Sequence, residues 1–186
     1  AVIGLGVTQM AHLNAELERV EAVNNVKTRL ASQMRDTLRD RAVLMHNIVV
    51  SIDPWEKDAL FIQFQEYGGR YARDRGQLVT MLSTPEEKQL MSELDAITFT
   101  NQPVMLSVIE AALDENNYGA LTLLQEEGIP LQNRLVEALD NMTSLQRKAN
   151  EAALAKTFGA YQATRNLMLT LGILATLLAT LVAVLV

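Results

Sequence analysis

The stretch "SIDPWEKDALFIQFQEYGGRYARDRGQLVTMLSTPEEK", residues 51–88, decides the fold, because it contains two helix starts and the helix between them. Asp53 can cap a helix, Pro54 suits the first helical position, and Glu56 stands three residues after the cap. The same order of cap, proline and acid recurs at 84–87. Each set is typical of a helix N-terminus, so the chain turns sharply twice within this stretch.

A third turn is predicted at "DENNYGA", 114–120, where Asn116 or Asn117 can end one helix and cap the next. Outside the turns, apolar residues recur every three or four positions, the spacing of helices in an antiparallel bundle. In the first helix they are Val20, Val23, Val26, Leu30, Met34, Leu38, Met45, Val49 and Ile52.

No segment alternates with a period of two, so the sequence predicts no strands. The predicted fold is all-α, an antiparallel up-down-up-down four-helix bundle continuous with transmembrane helices. We expect Pro103 and Pro130 to bend or locally break the third and fourth helices, because proline removes a backbone hydrogen bond.

The two ends of the chain are apolar. After Arg165 and Asn166 come 20 residues without a charge, which as a helix span about 30 Å, the thickness of a bilayer core. Residues 1–11, "AVIGLGVTQMA", are too short to span, and by themselves they suit a truncated span or a buried helix start equally well. Both ends lie about 48 residues from the same end of the bundle, which favours a span. We therefore predict three segments: the end of a first transmembrane helix at 1–11, the bundle at 12–164 and a second transmembrane helix at 165–186.

Composition excludes several classes of function. The net charge is −6 with no basic stripe, which argues against nucleic-acid binding, and the absence of cysteine excludes disulfides, thiolate metal sites and cysteine nucleophiles. His12 and His46 lie about 50 Å apart on one predicted helix and cannot share a metal ion. We predict no enzyme activity, cofactor or metal.

Polar residues interrupt the predicted apolar faces. Arg41, Asp74, Arg75 and Asn101 lie at or next to positions where an apolar residue is due. They are either the few buried polar residues that set register in bundles, or parts of a small-ligand site.

Three arginines, Arg35, Arg39 and Arg41, lie in the half of the first helix nearest its C-terminus. A guanidinium group is well shaped to bind a carboxylate ligand. Asp36 and Asp40 lie among them, so pairs on a solvated surface are the alternative explanation. The predicted ligand-binding residues are Arg35, Arg39, Arg41, Arg75 and Asn101.

Residues 38–142 resemble the four-helix-bundle sensor domain of bacterial methyl-accepting chemotaxis proteins, a domain also found on histidine kinases and diguanylate cyclases. The matching features are Arg41, the Asp-Pro turn at 53–54, "LSTPEEKQLMSEL" at 82–94 and a fourth helix that runs into a membrane span. The resemblance implies a homodimer through helices 1 and 4 that faces the periplasm. It also implies that a small molecule or a periplasmic solute-binding protein binds near the tip.

These features predict a ligand-sensing extracytoplasmic domain of a receptor in the bacterial inner membrane. A small displacement of the second span would carry the signal to a cytoplasmic output module not present in this chain. The alternative is a tail-anchored interaction protein with its bundle in the cytosol, which Lys156 and Arg165 on the bundle side of the last span mildly favour. Residues before Ala1 and after Val186 would separate the two hypotheses.

Overall fold

The structure is a computed structural model that describes the backbone of residues 2–185 and the side chains of residues 22–155 and 157–174. Its helices are α1 (Val2–Val50), α2 (Pro54–Met81), α3 (Pro85–Leu113), α4 (Asn117–Leu123) and α5 (Ile129–Leu185). A π-helical turn, Leu124–Gly128, joins α4 to α5, so these two form the fourth helix of the bundle. Residues 2–185 contain no strand, and the predicted all-α four-helix bundle is confirmed.

The helices begin at the predicted residues. Asp53 caps α2 by accepting a hydrogen bond from the Trp55 backbone N at 3.0 Å. Thr84 and Glu87 form a complete capping box at the start of α3, with N–O distances of 3.2 and 3.1 Å. Such caps satisfy backbone N–H groups that the first helical turn leaves unpaired. Asn116 caps α4 in the same way.

The chain divides into two compact units, residues 25–147 and residues 1–24 with 148–186. In the second unit, Asn24 Nδ2 donates to Asn150 Oδ1 at 2.7 Å. No helix in the described part of the chain is long and apolar enough to cross a membrane. The side chains of the predicted span at 1–11 lie outside the described residues. In the predicted span at 165–186, the side chains from residue 175 onward also lie outside them, so both spans stay predictions.

Residues 25–147 contain two apolar clusters. The first is built around Leu30, Met34, Leu78, Leu94 and Leu139, and the second comprises mainly Met45, Ile48, Phe64, Met105, Val108 and Ile109. Of the predicted apolar stripe of α1, these clusters contain Leu30, Met34, Leu38, Met45 and Val49, and Val26 packs against the first of them. Val20 lies outside the described side chains. Val23 and Ile52 do not lie in the clusters, since their side chains are 39% and 90% exposed; Ile52 follows the last residue of α1.

The two internal prolines have different outcomes. At Pro103 there is no local break, because α3 continues as an α-helix to Leu113, and the alternative expectation of a bend stays a prediction. Near Pro130 the helical hydrogen bonding does change, since the π-helical turn Leu124–Gly128 ends two residues before the proline. A proline cannot donate the hydrogen bond that its position in an α-helix requires, and a π-helical turn accommodates an extra residue at such a place.

A buried ion pair joins three helices near the turn between α2 and α3. Lys27 Nζ lies 2.7 Å from Glu87 Oε1, and Gln146 Nε2 donates to the same oxygen at 2.5 Å. Burial raises the pKa of Glu87, but hydrogen bonds from Gln146, Lys27 and two backbone N–H groups outweigh it and lower the pKa to about 2. The carboxylate therefore stays charged and holds α1, α3 and α5 at one level.

Candidate ligand-binding site

A cavity of about 410 Å³ lies between α1, α2, α3 and the first turns of α5, where the two apolar clusters meet. Its apolar lining consists of Leu38, Phe61, Phe64, Met105, Leu106, Leu135, Ala72 and Gly68. Its polar lining consists of Arg41, Gln65, Tyr71, Arg75, Thr98, Asn101 and Gln102. Among the side chains that the structure describes, no aspartate or glutamate lines this cavity.

Arg41 is a largely buried cation without a counter-charge. Its Cζ lies 4.0 Å from the centroid of the Phe64 ring, and its Nε is buried without a hydrogen-bond partner in the protein. No carboxylate of the described residues lies within ion-pair distance of it. Burial lowers the pKa of Arg41, yet a guanidinium keeps its proton in proteins. The cavity therefore carries a positive charge that the fold does not neutralise.

A glycine gives this guanidinium room. A Cβ at Gly68 would lie 3.7 Å from Arg41 Cζ, an ordinary van der Waals distance, so at this position α2 presents backbone to the charged group although an alanine would also fit. Glycine inside a helix costs about 1 kcal/mol relative to alanine.

Two further polar atoms of the cavity lack partners. Tyr71 Oη and Asn101 Oδ1 are buried, and neither has a hydrogen-bond partner of normal geometry in the protein, although Thr98 lies beside the phenol. Burial raises the pKa of Tyr71 more than Thr98 and the neighbouring arginines lower it, so the hydroxyl stays neutral and can donate. Such unpaired buried groups are rare in native proteins and cost about 1–3 kcal/mol each.

Arg75 also lines the cavity, but its charge is already paired. Its Nε and Nη2 donate to the two carboxylate oxygens of Asp95 at 2.6 and 2.5 Å. Hydrogen bonding to Asp95 raises the pKa of Arg75. A bidentate pair of this kind is rigid, so Arg75 forms a wall of the cavity rather than a free anion-binding group.

The predicted site residues therefore separate into two groups. Arg41, Arg75 and Asn101 line one cavity, as a shared ligand site requires. Arg35 instead pairs with Asp140 at 2.8 Å on the protein surface, and Arg39 is exposed, so neither lines the cavity.

Sequence reasoning missed the other lining residues of the cavity, among them Tyr71 and Phe64. Tyr71 and Phe64 occupy positions of the apolar stripe of α2, where an aromatic residue suggests only core packing. The available signal was the glycine pair that follows Tyr67, one turn from each aromatic residue on the same helix. A glycine inside a helix often has a packing or functional reason.

No group of three histidine, aspartate or glutamate side chains in the described part of the chain could hold a metal ion. His46 is exposed, and the side chain of His12 lies outside the described residues. The cavity lining offers a positive charge, hydrogen-bonding groups and apolar surface, a combination suited to binding a small ligand.

Comparisons with known proteins agree with this architecture. One solved structure, described as the periplasmic sensor domain of a sensor histidine kinase, is similar over 78% of this chain and 95% of its own, with a TM-score of 0.60. At 16% identity this likeness shows the fold. No curated protein matches the chain. Residues 1–172 match the family described as "four helix bundle sensory module for signal transduction", and the chain belongs to that family.

Proposed function

We propose that this sensory module detects a small organic anion, which binds in the cavity beside Arg41. The module lies outside the cytoplasm and is attached to the bacterial inner membrane by its apolar ends. It acts as a homodimer through α1 and the α4–α5 helix. A small displacement of the second membrane helix then carries the signal to a cytoplasmic output module.

The unpaired charge of Arg41 is the observation that carries this proposal. A buried cation without a partner costs free energy, and a carboxylate at the guanidinium recovers part of it through charge-assisted hydrogen bonds. The apolar wall beside it strengthens the attraction, because it keeps water from screening the two charges. An anion therefore stabilises the form of the bundle in which the cavity is open to it.

The cavity is connected to the start of α5 through Met105. The Met105 side chain lines the cavity, and its Cε lies 3.2 Å from the position that a Cβ of Gly128 would take. Its Sδ also lies 3.8 Å from Gln132 Nε2. A ligand that moves Met105 thus acts on the π-helical turn. Because π-helical turns inside α-helices are frequent at functional sites, this contact offers a route for a signal into α5.

Calorimetry with small organic anions tests the ligand proposal. Acetate, succinate, benzoate and phenylacetate are titrated into the full chain in mild detergent, with phenylacetamide as a neutral match for phenylacetate. We expect at least one anion to bind, and Arg41→Met to abolish binding while Arg39→Met, an exposed arginine of the same helix, preserves it. Binding that survives Arg41→Met, equal binding of the amide, or no binding of any anion would contradict the proposal.

The location can be tested separately, because these 186 residues contain no cysteine. Ser92 is exposed on α3, so Ser92→Cys introduces one reactive thiol. A membrane-impermeant maleimide should label this variant in intact cells and leave the cysteine-free parent unlabelled. Labelling that occurs only after lysis would place the bundle in the cytosol and overturn this part of the proposal.

A further inference from the structure

We infer that the cavity selects an organic acid with a compact apolar body and a neutral hydroxyl group, and that it discriminates against the corresponding amino acid. This inference rests on the proposed function and adds the chemical class of the ligand. It is carried by the sign of the charges around the cavity and by the two unpaired atoms, Tyr71 Oη and Asn101 Oδ1.

The charges of the lining disfavour an ammonium group. Arg41 brings a positive charge, and the charge of Arg75 is balanced by Asp95. The lining described above contains no acidic side chain that could bind a ligand ammonium directly. An amino acid would therefore bring its ammonium close to a guanidinium without a counter-charge, and the repulsion and the loss of water oppose binding of the charged form.

The unpaired atoms favour a hydroxyl. Asn101 Oδ1 is an acceptor and needs a donor, whereas the neutral Tyr71 hydroxyl both donates and accepts. A ligand hydroxyl can donate to the first or accept from the second, and so it satisfies a buried atom of the lining without adding charge. A site built to hydrogen-bond a hydroxyl rejects an analogue that lacks it, because its own polar groups then stay unpaired.

The apolar part of the lining determines the size and shape of the ligand. Phe61, Met105, Leu106 and Leu135 contribute apolar surface, whereas the Phe64 ring is already covered by Arg41. The volume of about 410 Å³ lies at the small end of the roughly 300–1,000 Å³ range of ligand pockets. A single ring or a short branched chain fits these dimensions.

Two matched series of acids test the inference by calorimetry on the full chain in mild detergent. The first series comprises mandelate, phenylglycine and phenylacetate, in which hydroxyl, ammonium or hydrogen stands next to the carboxylate. The second comprises 4-hydroxyphenylacetate, 4-aminomethylphenylacetate and phenylacetate, in which the group stands at the far end of the ring. We expect a hydroxy acid of at least one series to bind about tenfold or more tightly than both of its counterparts.

A variant assigns the preference to a residue. Asn101→Leu should remove the advantage of the hydroxy acid while changing the Kd of phenylacetate less than about threefold, since the carboxylate still meets Arg41. Asn133→Leu, an exposed asparagine of α5, is the matched control and should keep the preference.

The outcomes separate this inference from the proposed function. If the acids bind through Arg41 but the ammonium compounds match or exceed the hydroxy acids in both series, the inference is overturned and the anion sensor stands. The same holds if Asn101→Leu leaves the preference intact. If none of these acids binds, the inference fails, and the proposed function is then decided by the other anions of the calorimetric panel.

Discussion

Replacing Arg41 by methionine should make the ligand-free protein more stable and at the same time remove its response to an anion. Methionine has nearly the length of the arginine stem and fills irregular apolar space. The substitution removes a buried cation whose Nε has no partner and which no described carboxylate balances. Function, rather than stability, is then the reason for an arginine at this position.

The magnitude follows from three contributions. An unpaired buried polar group costs about 1–3 kcal/mol, and its removal recovers this free energy. The guanidinium contact over the Phe64 ring stabilises the native protein by about 1–2 kcal/mol and is lost. The methionine side chain adds apolar contact within the cavity. The net gain should be about 1 kcal/mol, which raises Tm by about 2–4 °C in a chain of this size.

The assay is thermal unfolding, monitored by the helical circular dichroism signal at about 222 nm. Arg39→Met is the control and should change the free energy of unfolding by less than about 0.5 kcal/mol, as surface substitutions do. With phenylacetate or another binding anion at about 100 times its Kd, the parent gains about 2.7 kcal/mol and Arg41→Met gains nothing. A Tm of Arg41→Met that falls by several degrees would refute the reasoning, because Arg41 would then be a structural residue.

Three further predictions concern the parts of the fold that surround the cavity. Gly76→Ala has open space within 4 Å and should stabilise α2 by about 1 kcal/mol. Gly128→Ala brings its methyl group 3.0 Å from Leu124 and 3.2 Å from Met105, and should be about 1–2 kcal/mol less favourable than Gly76→Ala in urea unfolding. Equal effects of the two glycine substitutions would show that the π-helical turn tolerates a side chain. Lys27→Met leaves the buried Glu87 carboxylate without its cation and should lower the free energy of unfolding by about 3 kcal/mol; a loss below 1 kcal/mol, roughly, would mean that the pair is not buried in solution. Because the folded pKa of Glu87 is about 2, below the ordinary value of 4.5, its contribution to stability is complete above about pH 4.5 and disappears as the pH falls towards 2. Glu87→Gln should flatten this acid limb, and an unchanged limb would assign it to other carboxylates.

The capped helix starts follow from local rules, and for this reason the sequence predicts them closely. A cap, a proline and an acid within four residues act on the first turn of their own helix, whatever the rest of the chain does. The spacing of apolar residues is equally local, and it predicts which face of each helix is buried. Ile52 is the instructive exception: it continues the period, but the helix ends at Val50 and the side chain lies in the solvent.

The π-helical turn shows where local reasoning stops. Gly128 and Pro130 predict that the fourth helix is disturbed, but they do not say whether the chain bends, breaks or takes in an extra residue. A Cβ at residue 128 would lie 3.0 Å from Leu124 Cδ1 of the same turn and 3.2 Å from Met105 Cε of α3. Part of the packing at this turn therefore comes from a neighbouring helix.

The sequence by itself determined the number of helices, their starts, and the choice of Arg41, Arg75 and Asn101 as polar residues in apolar faces. Only the tertiary structure decided that these three line one cavity while Arg35 and Arg39 remain on the surface. The physical reason is that a site requires side chains from different helices at one height and one angle. Helical period gives the angle of a residue on its own helix, but the relative heights and rotations of packed helices arise from the whole set of turns and contacts.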